Sequence, residues 1–178
     1  MSFSAPLEDN QREFAASTTA EMSEIVLPND ANLLGNILGG KVMHLIDIAA
    51  AVAASRHCHR AVVTASVDSL EFRHPVKVGD LIIIKAALNR AFHTSMEIGV
   101  KVWSENLLTG ERQHTSSAYL TFVALNESGK PVVVPEYIPI TDAEKRRWHE
   151  AEVRRATRLQ VKNKIAKMDQ TYGKAKTQ

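Results

Sequence analysis

The chain has 178 residues, 44% of them hydrophobic and 24% charged, with a formal net charge of +2. That is the profile of an ordinary globular protein with one full core and some tail. The longest strongly apolar stretch, 42–54, is interrupted by His44 and Asp47, which makes it too short and too polar to span a bilayer. Residues 1–20 lack a basic segment followed by an apolar run, so no secretory leader and no membrane association are expected. Cys58 is the one cysteine, so no intrachain disulfide can form, which fits a reducing cytoplasm. The small net charge hides an asymmetry: residues 141–178 carry 11 Lys/Arg against 5 Asp/Glu, a net of +6, on a body of net −4. A basic tail can attract phosphates or nucleic acid, although a solvated helix is the more common meaning.

In chain order, residues 1–20 are polar and small and read as a flexible extension. EMSEIVL (21–27) reads as a first strand ending at Pro28, and PNDANLLGNILGG (28–40) has the Pro, Asn, Asp and Gly of a loop. From Gly40 to about Arg56 there is no proline or internal glycine, and five alanines fill the second half. Alanine has the best helix propensity, and apolar residues surround the axis, so a helix buried on all sides is expected. Period-two patterns rich in β-branched residues then predict strands over 61–72, 81–92, 94–106 and 112–126, the middle two joined by a short turn near His93 and the others separated by Gly-containing connectors. One early helix against an antiparallel meander gives an α+β fold with the sheet wrapped around the helix, over about 21–135. Thr141 and Glu144 have capping-box spacing, opening a charged helix to about Met168, with the tail to 178 fraying. This helix is expected to pack through Trp148, Val153, Leu159 and Ile165. With Trp148 and Tyr172 as its few aromatics it offers no stacking surface for nucleic acid.

Asp47 is the anomaly of the central helix. Its neighbours at helical spacing are Met43, His44, Ala50, Ala51 and Ala54. Burying a carboxylate among such residues costs several kcal/mol unless it is paired, and a positioned carboxylate is what general-base catalysis needs. Two other readings stand on local sequence alone: His44, one turn earlier, satisfies Asp47, or Asp47 is solvated at a rim. The preceding loop favours chemistry. Gly39 and Gly40 stand where a helix start exposes unpaired N–H groups, able to polarise a carbonyl, and Asn32 and Asn36 add side-chain amides. With no strong metal or covalent-nucleophile signal beside them, these suggest hydrolysis by activated water. His57-Cys58-His59 lacks a fourth ligand and reads instead as a helix C-terminus, where histidines suit the dipole.

The segments DANLLGNILGGKVMHLID (30–47) and VVTASVDSLEFRHPVKVGD (62–80) closely resemble the hotdog-fold acyl-CoA thioesterases, in the branch of bacterial short- and medium-chain enzymes and brain-type acyl-CoA hydrolases. The resemblance runs from about Glu21 to about Val134. It implies that Asn32 and Asp47 act together across a subunit boundary, the carboxylate activating water or attacking the carbonyl, while the amide and a backbone N–H of the Gly39-Gly40 segment polarise the thioester and Thr64 lies near the same centre. It implies acyl-CoA as substrate, no cofactor beyond the coenzyme A of substrate and product, and a homo-oligomer: a dimer at least, with trimers of dimers in this branch. Arg73, His93, Thr94 and Ser95 are the residues expected near the coenzyme phosphates, with Gly39 and Asn36 also lining the substrate site. Two other functions compete. One is a non-catalytic hotdog acyl-CoA sensor, against which stands the absence of a helix-turn-helix pattern in residues 1–20. The other is a hotdog dehydratase, which the D-A-N lead argues against.

Overall fold

The period-two segments become a five-stranded antiparallel sheet, and the alanine-rich segment becomes the helix lying on it. The computed structural model describes residues 18–175, with side chains as far as residue 168. Residues up to Tyr137 form one compact unit and those from Ile138 a second. In the first unit the elements are β1 (Thr19–Ile25), a 3-10 turn (Pro28–Asp30), α1 (Gly39–Cys58), β2 (Ala61–Phe72), β3 (Leu81–Ala91), β4 (Ser95–Glu105) and β5 (Arg112–Leu125). The strand order is β1-β3-β4-β5-β2, with every neighbouring pair antiparallel. The α+β hotdog architecture expected from the sequence is therefore present, and α1 packs against all five strands.

One sheet face supplies Ile82, Ile84, Leu88, Ile98, Leu120 and Phe122 to the core. Against it α1 sets Ala49, Ala50, Ala53 and Ala54, all fully buried, so that the helix backbone sits close to the strands. The expectation of a helix buried on all sides fails. Met43, Ile48 and Val52 are 51%, 37% and 37% exposed, His44 is exposed, and Asp47 and Ala51 are half-buried. A single sheet covers a single side of a helix, so the remaining apolar side of α1 faces outward. The neighbouring edge strand β2 is bare as well, with Val63 and Val67 about half exposed.

Two boundaries move. β1 begins at Thr19, inside the expected extension, because Thr18 and Ala20 are buried and Thr19 pairs with Ala87; residues 1–17 lie outside the described residues. α1 runs on through Cys58 and ends at His59 in the left-handed conformation, φ 49°, whose N–H donates to Ser55 O at 2.7 Å. On the outer sheet face, Asn89 Nδ2 donates to the fully buried Glu97 at 3.0 Å. A Cβ at Gly99 would lie 2.7 Å from that amide nitrogen, so a larger residue there would displace the Asn89 side chain.

His57 departs from the expected dipole partner. It is buried, its Nε2 lies 2.9 Å from Pro135 O, and Tyr137 meets its ring edge-on. Burial is the main cause that pushes its pKa down, outweighing the Pro135 bond, and the neighbouring His59 pushes the same way. The ring is thus held neutral. Between the depressed folded value and the ordinary 6.5, the unfolded chain binds a proton that the folded chain refuses, so stability falls as pH drops through this window. His57→Gln, which keeps a donor for Pro135 but does not titrate, should flatten the decline in Tm between pH 7 and about pH 5, followed by thermal melts. An unchanged pH slope would show that other groups cause the decline. The neighbouring Cys58 thiol is buried and pushed up, so it packs rather than reacts.

The second unit is a helix, α2 (Asp142–Ala175). Its capping box forms: Glu144 N–H donates to Thr141 Oγ1 at 3.2 Å, and Glu144 Oε2 accepts from the N–H groups of Thr141 and Ile140. Burial works against the Glu144 carboxylate, but these bonds together hold its pKa below the usual range. The helix continues past Met168 to Ala175, and residues 176–178 lie outside the described residues. Val153, Leu159 and Ile165, three of the residues expected to form a packing stripe, do not share one face of the helix. The reason is angular: steps of six residues turn by about 240°, so these three side chains spread around the axis instead of lining one face.

Candidate active site

Asp47 is reached by Thr64, not by His44. Thr64 Oγ1 donates to Asp47 Oδ1 at 2.6 Å, a short charge-assisted bond. The strand supplies the aim. Thr64 pairs with Phe122, whose side chain points into the core, so Thr64 faces α1. Directly after it the register shifts and Ala65 bulges out, so the rest of β2 is re-set without disturbing Thr64. With one carboxylate oxygen held by Thr64, the other has no hydrogen bond among the described residues and is open to a water.

The second group lies at the start of α1. Leu38 caps the helix without a side-chain bond, which leaves the first-turn N–H groups of Gly39, Gly40 and Lys41 without intrahelical partners. Neither glycine has a positive φ, and a Cβ on Gly40 would meet nothing within 4 Å. Upstream, Asn32 Oδ1 accepts the N–H groups of Leu34 (2.9 Å) and Asn36 (3.2 Å). Two backbone donors on the oxygen fix the amide orientation, so Nδ2 is the end that turns outward as a donor. Asn32, Asn36 and Gly39 line a cavity of about 320 Å³ with Phe72 and Val76, and Arg73 and His74 also border it. Arg73 itself is exposed and bridges to Glu71 at 3.6 Å.

The third group is remote. His93 and Thr94 make the β3–β4 turn with Ser95, closed by a Phe92 N–H bond to Ser95 O at 2.8 Å. Through the sheet, Phe72 pairs with Ser116 and Ser95 with Val123, positions about 24 Å apart along β5 at about 3.4 Å per residue. In one copy of the chain, then, Arg73 and His93 to Ser95 stand at opposite ends of the sheet. Among the described residues no group of three or more His, Cys, Asp or Glu side chains is gathered to hold a metal.

The sequence reading missed Phe72, whose ring lies 3.5 Å from where a Gly39 Cβ would be and which walls the cavity. It is the last residue of a period-two strand, and only the meeting of that strand end with the helix start gives it a role.

The profile of the thioesterase superfamily matches residues 34–111. The Bacillus subtilis acyl-CoA thioester hydrolase YkhA, itself uncharacterised, is 39% identical over 138 residues, 78% of this chain and 80% of its own length. The chain belongs to the hotdog-fold acyl-CoA thioesterases. Among solved thioesterases, an apo hexameric acyl-CoA thioesterase is 44% identical with a TM-score of 0.80, over 82% of this chain and 94% of that one. The Staphylococcus aureus acyl-CoA hydrolase, in complex with butyryl coenzyme A, coenzyme A and its disulfide, is 34% identical with a TM-score of 0.77, over 86% and 96%. That thioesterase has also been solved with one Asp, one Thr or one Asn replaced by Ala, the Asn variant with coenzyme A.

Proposed function

We propose that this chain hydrolyses acyl-CoA to a free acid and coenzyme A at sites shared between two copies, each site joining Asp47 and Thr64 of one copy to Asn32 and Gly40 of the other. The carrying observation is the separation of the two halves. Gly40 and Asp47 share a face of α1 two turns apart, about 10 Å along the axis. A polarised carbonyl oxygen and an attacking water sit on the same carbon, so their partners must lie closer than that. A second copy supplies the missing half. The bare apolar side of α1 and the exposed β2 edge give it a surface to cover, and Gly40 leaves it room to approach.

The three alanine variants of the S. aureus enzyme support the residue choice. Their Asn, Asp and Thr are spaced 15 and 17 residues apart, the spacing of Asn32, Asp47 and Thr64 here. In the proposed reaction Asp47, oriented by Thr64, takes a proton from water as its oxygen bonds to the thioester carbon. The oxyanion is held by the Gly40 N–H and Asn32 Nδ2, donors of a type often contributing about 3 kcal/mol each. Collapse breaks the carbon–sulfur bond, and the proton on Asp47 returns to the leaving thiolate. Arg73 and the His93 to Ser95 turn are proposed to receive coenzyme phosphates. Reversal of one copy against another brings opposite sheet ends together, so these contacts come from different copies. The hexameric relative suggests a trimer of such dimers. We place the protein in the cytoplasm, where a buried, unpaired Cys58 thiol persists. Free-thiol release measured across straight and branched acyl-CoAs tests the reaction. Tight coenzyme binding without thiol release from any of them would make the chain a sensor instead.

A further inference from the structure

Lys41 sits in the first turn of α1, an end where the helix dipole disfavours a cation, and no acidic residue shares that turn. Its ammonium is held from outside the helix. Nζ lies 2.8 Å from Glu24 Oε1 on β1 and 3.5 Å from Asp30 Oδ1, and the Glu24 bond foremost raises the lysine's pKa. Asp30 stands two residues before Asn32, and its carbonyl accepts the Leu38 N–H at 2.8 Å, immediately before the glycines. One side chain thus joins β1, the Asn32 loop and the start of α1. The last two are the segments that carry the two carbonyl-polarising donors.

We propose that Lys41 is a positioning residue for hydrolysis: its bridges to Glu24 and Asp30 fix the Asn32 amide relative to the Gly40 N–H. The inference rests on the reading of Asn32 and Gly40 as the polarising half of the site. Lys41 and its two partners are only partly buried, so the bridge contributes little to stability. The placement of a donor matters more, since an error of about 1 Å can cost on the order of 10²-fold in rate. Lys41 touches no reacting atom, and its loss should therefore slow the chemical step rather than weaken binding.

The test compares Lys41→Met, Lys41→Arg, Glu24→Gln and Asp47→Ala in the full-length protein, measuring kcat, KM, Tm and oligomeric state with one acyl-CoA. Lys41→Met should lose about 10- to 100-fold in kcat with KM and Tm near the parent values. Lys41→Arg should restore most of the loss, and Glu24→Gln should fall between. Parent-like kcat in Lys41→Met, a loss confined to KM, or a loss in both Lys41→Met and Glu24→Gln that follows falling Tm, overturns the inference. Asp47→Ala and, run alongside it, Asn32→Ala separate the two claims: if Asn32→Ala remains fully active, the underlying reading of the polarising half fails, whatever Lys41→Met does.

Discussion

Asp47→Ala should lower kcat for acyl-CoA hydrolysis by about 10²- to 10⁴-fold, the range a positioned general base contributes, with fold and assembly intact. Stability survives because the group is only half-buried and its bond is to a Thr64 hydroxyl that water can serve instead. Deleting the carboxylate removes a charge and leaves no opposite buried charge behind. Asp47→Asn refines the test, since its amide oxygen still accepts from Thr64 but cannot take a proton from water. Both variants should be similarly slow. Thiol release at the parent rate in Asp47→Ala ends the proposed mechanism, and an active Asp47→Asn ends the proton-transfer role while sparing the position. Cys58 does not confuse a thiol assay, being buried with its pKa pushed up.

Much of this was legible in the sequence for physical reasons. Strand β2 falls on the expected 61–72, because the alternation starts after Arg60 and ends before a proline connector. Helix α1 was visible from its alanines, but its burial was not. Apolar residues on every side predict a covered helix, and the sequence does not say whether the cover comes from the same chain. Met43, Ile48 and Val52 mark that difference. His57 shows a second limit: a helix C-terminus favours a charged imidazole, whereas Pro135 and Tyr137, some eighty residues later, bury it neutral. Lys41 shows a third. Nothing local pairs it, and its partners become neighbours only when β1 and the Asn32 loop fold against the helix start. Asn32, Asp47 and Thr64 could be picked out because their motifs are local. The Thr64 bond to Asp47 depends on the pairing of Thr64 with Phe122, which turns the hydroxyl toward α1 and is set only once β2 and β5 meet in the sheet.

Mixing experiments should then show whose residues make the site. Asp47→Ala and Asn32→Ala chains, each impaired alone, are co-expressed with different tags. If one copy supplies the carboxylate and the other the amide, a mixed dimer has one site with both residues intact and one with neither. Random pairing makes half the dimers mixed, so activity should recover to about one quarter of wild type. If each site were built within a single chain, every site would remain defective and mixing would recover nothing. A second mixture guards against slow exchange. When wild type is paired with an Asp47→Ala/Asn32→Ala double variant, both sites of each mixed dimer lose a residue. Equal amounts should then leave about one quarter of the activity for shared sites, against about one half for sites within one chain. Recovery in the first mixture together with excess loss in the second is a pattern that a self-contained site cannot produce, because only a shared site makes one chain's defect another chain's loss.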